Sequence, residues 1–243
     1  RIIGLAQIRS ETGAIERNVR LHLSVLHQLG PGAVDLVVFP ELSLSNYDPT
    51  VAKACAVHPK DDRLAPLRSF AEGTGIAVAV GAPLAAQDKP QIALLTFTPG
   101  GPPRVVGKRY LHEDETPFFA PSRSSAAVLH LAVPIGVAIC YEISVATHTK
   151  ALIDAGASVY LASVAKTLRG VVGARDTLSE TARQHRVPAL MVNSVGTCEG
   201  KKAGGGSMVI DREGRLVGRL GDTEEAVLFY DTESGEAAAF RYS

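Results

Sequence analysis

Strand-length apolar runs that alternate with helix-spaced patterns and with Gly and Pro punctuation constrain this chain more than any other feature. Residues 1–8 (RIIGLAQI) read as a strand, after which Ile15, Val19, Leu23 and Leu26 recur at helical spacing until Gly30 and Pro31 end the segment. AVDLVVF (33–39) is a second run, rich in β-branched residues and mostly apolar, as a strand buried on both faces should be. A βαβ-like unit is complete by residue 39.

The alternation continues to the end. A polar segment with a helix near 63–73 precedes three strand candidates, GIAVAVGA (75–82), QIALLTFT (91–98) and RVVG (104–107), separated by Gly and Pro turns. Next come VLHLAVPIGVAIC (128–140), a helical stretch from Ser144 to Ala155, ASVYLASVA (157–165), a helix near 174–186 and PALMVNSVG (188–196). The last part, GGSMVIDREGRLVGRLGDTEEAVLFYDT (205–232), reads as strands joined by hairpins, with Glu213-Gly214 at one turn. There is no linker, low-complexity tract or long repeat, so residues 1–243 are expected to form a single mixed α/β domain.

Composition narrows the partners. With 46% hydrophobic and 21% charged residues, the bulk of the chain cannot be disordered. The 25 Lys and Arg offset the 25 Asp and Glu, leaving no positive field for nucleic acid or an acidic membrane and favouring a small neutral ligand. The opening RIIGLAQIRSETG lacks the pattern of a signal peptide, and no stretch has the roughly 18–20 apolar residues of a membrane span. Three widely spaced cysteines, Cys55, Cys140 and Cys198, argue against a disulfide framework and for a reducing compartment, by default the cytoplasm.

Three polar residues stand where strands end. Glu41 follows DLVVFP, Lys108 follows RVVG, and Cys140 follows PIGVAI ahead of a helix. Ligands in open α/β sheets collect at the carboxyl ends of strands, so these residues would build one reactive pocket if the fold brings them together. A helix N-terminus near Ser144 and a nearby ammonium would then lower the Cys140 pKa. Glu41 would take the thiol proton and later activate water, while Lys108 and a backbone N–H just after Cys140 hold a tetrahedral oxyanion. The alternative for each residue is ordinary packing or solvation.

The surrounding words decide between these. FPELSLSNY (39–47), GKRYLHEDETPFFAPS (107–122) and GVAICYEIS (136–144) resemble, in order, the three signature segments of the carbon-nitrogen hydrolase (nitrilase) superfamily. AGASVYLASVA, RQHRVPALMVNSVG and GGGSMVIDREGRLVG resemble its later strands and helix, so the likeness covers almost the whole chain. It implies Glu41 as general base, Lys108 as the stabilising cation, Cys140 as nucleophile and Glu115 as a second glutamate supporting Lys108 and Glu41. It also implies Tyr141 as backbone oxyanion donor and Tyr47 as a substrate contact. The implied architecture is a four-layer α-β-β-α sandwich that pairs into a homodimer or higher homo-oligomer, with no metal and no organic cofactor. Departures from the pattern are Asn46 and Ser122 in place of Gly and Glu142 in place of Asp; Asn tolerates left-handed backbone, so Asn46 is mild.

The activity implied is hydrolysis of a small amide, an ω-amide or an N-carbamoyl compound through a Cys140 thioester. A nitrile hydrolase, an acyltransferase to an amine, and a non-catalytic binding or assembly module are the alternatives. In VAKTLRGVVGAR (164–175), Lys166, Arg169 or Arg175 could receive a substrate carboxylate, or could equally be solvated surface cations. Ser163 and Lys166 match an S-x-x-K pattern that lacks its partner motifs, and Cys55 with His58 is a weak zinc signal. The glycines at 204–206 are read as allowing close backbone packing or a bulge beside a strand.

Overall fold

The computed structural model describes residues 1–30, 32–124 and 128–242; Pro31, read above as part of the stop after the first helix, lies outside the described residues. The first half runs β1 (Ile2–Gln7), α1 (Ile15–Leu26), β2 (Leu36–Val38), α2 (Ala52–Cys55), α3 (Ala65–Thr74), β3 (Ala77–Leu84), β4 (Gln91–Phe97) and β5 (Arg104–Gly107). The second half begins with β6 (Val128–His130), β7 (Pro134–Ile139), α4 (Ala146–Asp154), β8 (Val159–Ser163), α5 (Leu168–His185) and β9 (Ala189–Val192). It ends with β10 (Thr197–Cys198), β11 (Lys201–Lys202), β12 (Met208–Ile210), β13 (Leu216–Arg219), β14 (Ala226–Asp231) and β15 (Ala237–Phe240).

Two larger sheets result. One has the order β15-β14-β1-β2-β3-β4-β5 and the other β13-β12-β9-β8-β7-β6, while β10 and β11 form a separate ribbon. Each sheet has three parallel strands at its centre, β1, β2 and β3 in one and β7, β8 and β9 in the other, with antiparallel strands outside.

Strand side chains alternate between faces, and that period of two generates the layers. Leu5, Val38, Ala79 and Leu94 of the first sheet meet Val137, Leu161, Leu190 and Val209 of the second in one buried core. On the outer face of the first sheet, Val37, Val78, Val80 and Leu95 pack under Val19 and Leu26 of α1 and Leu67 and Phe70 of α3. On the outer face of the second, Ala138, Tyr160, Ala162 and Met191 pack under Leu152 of α4 and Leu178 and Ala182 of α5. The result is the expected four-layer α-β-β-α sandwich.

The structure departs from the reading above in three places. The helix expected near 174 begins at Leu168, so most of VAKTLRGVVGAR is helical; Gly170 and Gly173 suggest a loop, but Val171, Ala174 and Leu178 bury one face against the sheet and outweigh the glycine cost. VLHLAVPIGVAIC is a hairpin of β6 and β7 rather than one run, with Pro134 opening the second strand. β15 pairs with β14 as an edge strand that the alanine-rich AAAF did not announce.

Candidate active site

Glu41 stands just past β2 in a turn pressed against β3. A Cβ on Gly81 of β3 would lie 2.2 Å from the Pro40 carbonyl oxygen and 2.3 Å from the Leu42 nitrogen, so only glycine lets the turn come this close. Leu42 and Asn46 take positive φ values of 52° and 61°; at the latter, asparagine fills the left-handed position as its sequence suggested. The turn is fixed from below by a buried chain of hydrogen bonds. His22 Nδ1 donates to the Asn18 carbonyl at 2.6 Å, which makes Nε2 the acceptor of the Ser43 hydroxyl at 2.9 Å. Ser43 Oγ in turn accepts from the Gly81 N–H at 3.2 Å.

This chain needs a neutral imidazole, and burial lowers the His22 pKa from 6.5 to about 4. A group held neutral in the fold binds its proton only in the unfolded chain between those values, so stability is full above pH 6.5 and falls as pH drops toward 4. The expected loss is on the order of 3 kcal/mol, read as a lower urea midpoint at pH 4 that His22→Gln no longer shows.

Lys108 follows β5, and its backbone N–H extends the pairing to Ile92 O at 2.7 Å. Its side chain is fully buried, and Nζ donates to Glu41 Oε1 and to Glu115 Oε1, both at 2.7 Å. Glu115 ends a short 3-10 turn, Glu113–Glu115. Its Oε1 also accepts from the Tyr47 hydroxyl at 2.7 Å, and its Oε2 accepts from the His112 N–H at 2.8 Å. Glu113 is exposed, so Glu115 rather than its neighbour faces the lysine.

Two buried carboxylates thus share one ammonium. Burial alone would lower the Lys108 pKa, but the charges of Glu41, Cys140 and Glu115 raise it, and the lysine keeps its proton. Burial raises the Glu41 pKa, and Lys108 offsets that only in part. Glu41 Oε2 is buried without a hydrogen-bond partner. A buried unpaired carboxylate oxygen is costly, and such an atom is placed to accept a proton.

Cys140 directly follows β7 and takes a left-handed φ of 46°, which turns its side chain out of the sheet direction. Its Sγ faces the Ala165 carbonyl oxygen at 3.9 Å. Its thiol and the Glu41 carboxylate are close enough to perturb each other. The expectation of a lowered thiol pKa is corrected here: burial first and the Glu41 charge second push it up to about 11, and Lys166 and Lys108 do not compensate. Residues Cys140–Ser144 form a 3-10 turn and α4 starts only at Ala146, so no long helix begins at the sulfur. With its pKa pushed up in this way, the Cys140 thiol holds its proton at neutral pH.

Glu142 organises the two loops and was missed in the sequence, where it counted only as a departure. Buried beneath the turn, its Oε2 accepts the Ile139 N–H at 2.8 Å, just before Cys140, while its Oε1 accepts the N–H groups of Arg109 at 2.6 Å and Tyr110 at 3.2 Å, just after Lys108. His148 Nε2 lies 3.4 Å from the same carboxylate and 3.0 Å from the Val137 carbonyl oxygen. One side chain thereby sets the distance between the Lys108 and Cys140 segments. Gln at this position would present an amide donor to one of those N–H groups, so Glu142→Gln should lower kcat by about 10- to 100-fold with little change in KM, measured by steady-state kinetics.

The remaining candidates divide. Tyr47 is part of the carboxylate network through Glu115. Tyr141 is half exposed, and its ring stands edge-on to His112 with centroids 5.4 Å apart. Lys166 is half-buried, and its charge reaches Cys140. Its backbone is clamped by Asn193, which accepts from Lys166 N at 2.9 Å and donates to Lys166 O at 3.0 Å. Arg169 and Arg175 are exposed on α5, without a described bond to the site. Ser163 Oγ donates to Phe39 O at 3.1 Å and ties the two sheets together beside Glu41, which absorbs the S-x-x-K match. Gly204 packs as read, since a Cβ there would lie 2.4 Å from Leu168 N.

Asn193 belongs to a second buried network that the sequence did not reveal. Ser207 Oγ accepts from Asn193 N at 3.0 Å and donates to Gln7 Oε1 at 2.8 Å, linking β9 to β1 of the other sheet. The available signal was a polar residue inside or just past an apolar run, as in IIGLAQI and ALMVNSV. Beside the site, a cavity of about 780 Å³ is lined by Lys89, Arg109, Tyr110, Leu111, Phe119 and Tyr141. Among the described residues no group of His, Cys, Asp and Glu is arranged to hold a metal ion.

Comparison with known proteins agrees with this architecture. The carbon-nitrogen hydrolase family model matches residues 2–242, so the chain belongs to that family and is a carbon-nitrogen hydrolase. An (R)-stereoselective amidase from Pseudomonas sp. is 28% identical over 99% of this chain and 88% of its own length. A glutamine-dependent NAD(+) synthetase from Synechocystis sp. is 28% identical over 96% of this chain, which spans only 47% of that protein. An amidase from Nesterenkonia sp. AN1, solved as a variant with butyramide, superposes with a TM-score of 0.85 at 22% identity over 96% of this chain and 91% of its own.

Proposed function

We propose that Cys140, Glu41 and Lys108 hydrolyse a small amide through a thioester. Cys140 Sγ attacks the amide carbonyl carbon as its proton passes to Glu41 Oε2, and the oxyanion is held by Lys108 Nζ and the Tyr141 backbone N–H. Glu41 returns the proton to the leaving nitrogen, releasing ammonia or an amine. It then deprotonates the water that opens the thioester, and the free acid leaves with Cys140 restored. Glu115, fixed by Tyr47 and His112, keeps Lys108 charged and in place. The single observation that carries this reading is the buried, unpartnered Glu41 Oε2 beside a thiol whose own pKa is raised. A raised thiol needs a local base, and this oxygen is the one at hand.

The cavity bounded by Phe119, Tyr110 and Tyr141 favours an apolar or aromatic substituent, with Arg109 and Lys89 at its wall, beside Asp88, available to an anionic end. The amidase relatives favour simple amides, and the synthetase relatives favour glutamine as a second substrate to try. The test is ammonia release from aliphatic amides, aryl amides, glutamine and other ω-amides, N-carbamoyl amino acids and nitriles. Release from at least one amide class is expected; release from nitriles alone, or from nothing in the panel, would overturn the reading.

The same reading extends to assembly and location. Leu168 and Val172, one turn apart on α5 among the exposed Arg169 and Arg175, are 51% and 60% exposed, a pair of apolar side chains that a second copy would cover and that light scattering would report as a homodimer or higher homo-oligomer. The three cysteines are unpaired, consistent with a reducing cytoplasm. Among the described residues no helix is long and apolar enough to cross a membrane.

A further inference from the structure

The β10–β11 ribbon brings a second thiol to the place occupied by the first. Cys198 Sγ donates to the Ala165 carbonyl oxygen at 3.6 Å, and Cys140 Sγ faces that same oxygen at 3.9 Å. The two sulfurs therefore share one acceptor. Hydrolysis as described above gives Cys198 no role, yet it is buried against Ala165, Ala203 and Tyr47 in a small cluster of its own. Burial, then the charges of Glu41 and Cys140, push the Cys198 thiol up to about 12, so both thiols sense the same carboxylate. Cys55, by contrast, faces the Gly13 carbonyl at 3.5 Å.

We propose that Cys140 and Cys198 form a peroxide-responsive pair, in which a hydroperoxide oxidises Cys140 and Cys198 then closes a reversible disulfide onto it. In the first step Cys140 Sγ attacks one oxygen of the hydroperoxide and the O–O bond breaks. Sulfur is oxidised to the sulfenic acid, and the other oxygen leaves as water or an alcohol carrying the thiol proton relayed by Glu41. In the second step Cys198 Sγ attacks the Cys140 sulfur, the S–O bond breaks, and the hydroxyl departs as water with the Cys198 proton. Glu41, the base assigned to the Cys140 thiol, takes the proton of the first step, and the Cys198 proton leaves on the departing hydroxyl. A hydroperoxide is small and neutral, and Cys140 is partly exposed where such a molecule would arrive.

Closure requires the sulfurs to move from a shared hydrogen-bond acceptor to a bond of about 2.05 Å, so the ribbon must shift inward. Its strands pair only Thr197 with Lys202 and Cys198 with Lys201, and the Glu199 N–H holds it to the Tyr47 carbonyl at 2.7 Å. The shift would pull on Tyr47, the partner of Glu115. The closed form is thus expected to be inactive, its nucleophile occupied and its carboxylate network disturbed, until a thiol reductant reopens it.

The test treats the purified chain with hydrogen peroxide and maps its cysteines by mass spectrometry after alkylation. The expected result is a peptide pair linked through Cys140 and Cys198, lighter by two hydrogens, with Cys55 alkylated as before. Ammonia release should be lost in step with the link and restored by dithiothreitol. In Cys198→Ser and Cys198→Ala, each checked for native melting, the same treatment should drive Cys140 to sulfinic acid that dithiothreitol does not reverse. Cys140 sulfinic or sulfonic acid in the unmodified sequence without the linked pair would overturn the proposal. So would a link through Cys55, or recovery in the Cys198 variants as complete as in the parent. The linked pair is read by mass alone, so this outcome stands apart from whether any amide is turned over.

Discussion

Glu41→Gln is expected to lower kcat by about 10²- to 10⁴-fold, the range for loss of a positioned general base, while leaving KM nearly unchanged. Glutamine preserves the shape of the side chain and can still accept from Lys108 Nζ, so the fold should persist. What it removes is the oxygen that accepts the proton. The Glu41 charge that helps to raise the Cys140 thiol is gone in the variant, but burial, the larger cause, persists and no base remains to take the proton, so both attack and thioester hydrolysis should slow. The parent enzyme should show the same dependence in its pH profile. Burial raises the Glu41 pKa, so activity should fall on the acid side at a pH above the ordinary carboxylate value of 4.5, and that limb should vanish in Glu41→Gln. Activity in the variant within a factor of a few of the parent would show that another group takes the proton.

Lys108→Ala should be worse than the loss of one oxyanion donor. That loss alone costs about 2–4 kcal/mol of transition-state stabilisation. Here the lysine also neutralises Glu41 and Glu115, all three side chains being almost wholly buried. Removing one member of a buried ionic group typically costs about 3–5 kcal/mol of stability, because the charges left behind are unpaired. The carboxyls should respond by taking up protons, which also removes the base. The expected outcome is no measurable turnover together with a lower urea midpoint that improves as pH falls. Lys108→Arg should restore stability better than activity, since the planar guanidinium cannot place a point charge where Nζ sits. An alanine variant with parent-like stability would contradict the network described here.

These expectations show which parts of the molecule were readable before its structure. Glu41, Lys108 and Cys140 each follow a β-branched or apolar run, and that placement at strand ends, reinforced by the three signature segments, singled out residues of which Lys108 and Glu41 meet in the fold. The layers were readable too, because alternating residues such as Val37 and Val38 face different cores. Glu142 was not readable, because its partners are backbone N–H groups of residues 109, 110 and 139, and a sequence does not show which main-chain donors lack a partner. Gln7, Asn193 and Ser207 escaped for the same reason: they meet across two sheets although they are far apart in the chain. The early start of α5 was hidden by two glycines whose local preference yields to packing. The direction of the Cys140 shift was misjudged because helix and ammonium effects can be guessed from neighbours in sequence, whereas burial cannot.

The most direct test of the central claim is ammonia release from the best amide of the panel by the parent enzyme and by Cys140→Ala, at matched concentrations of folded protein. The account predicts steady release by the parent and none above background by the variant, whose melting temperature should be essentially unchanged. Release by the folded variant at a rate comparable to the parent would mean that the C–N bond is broken without the thiol, and the thioester route would have to be abandoned.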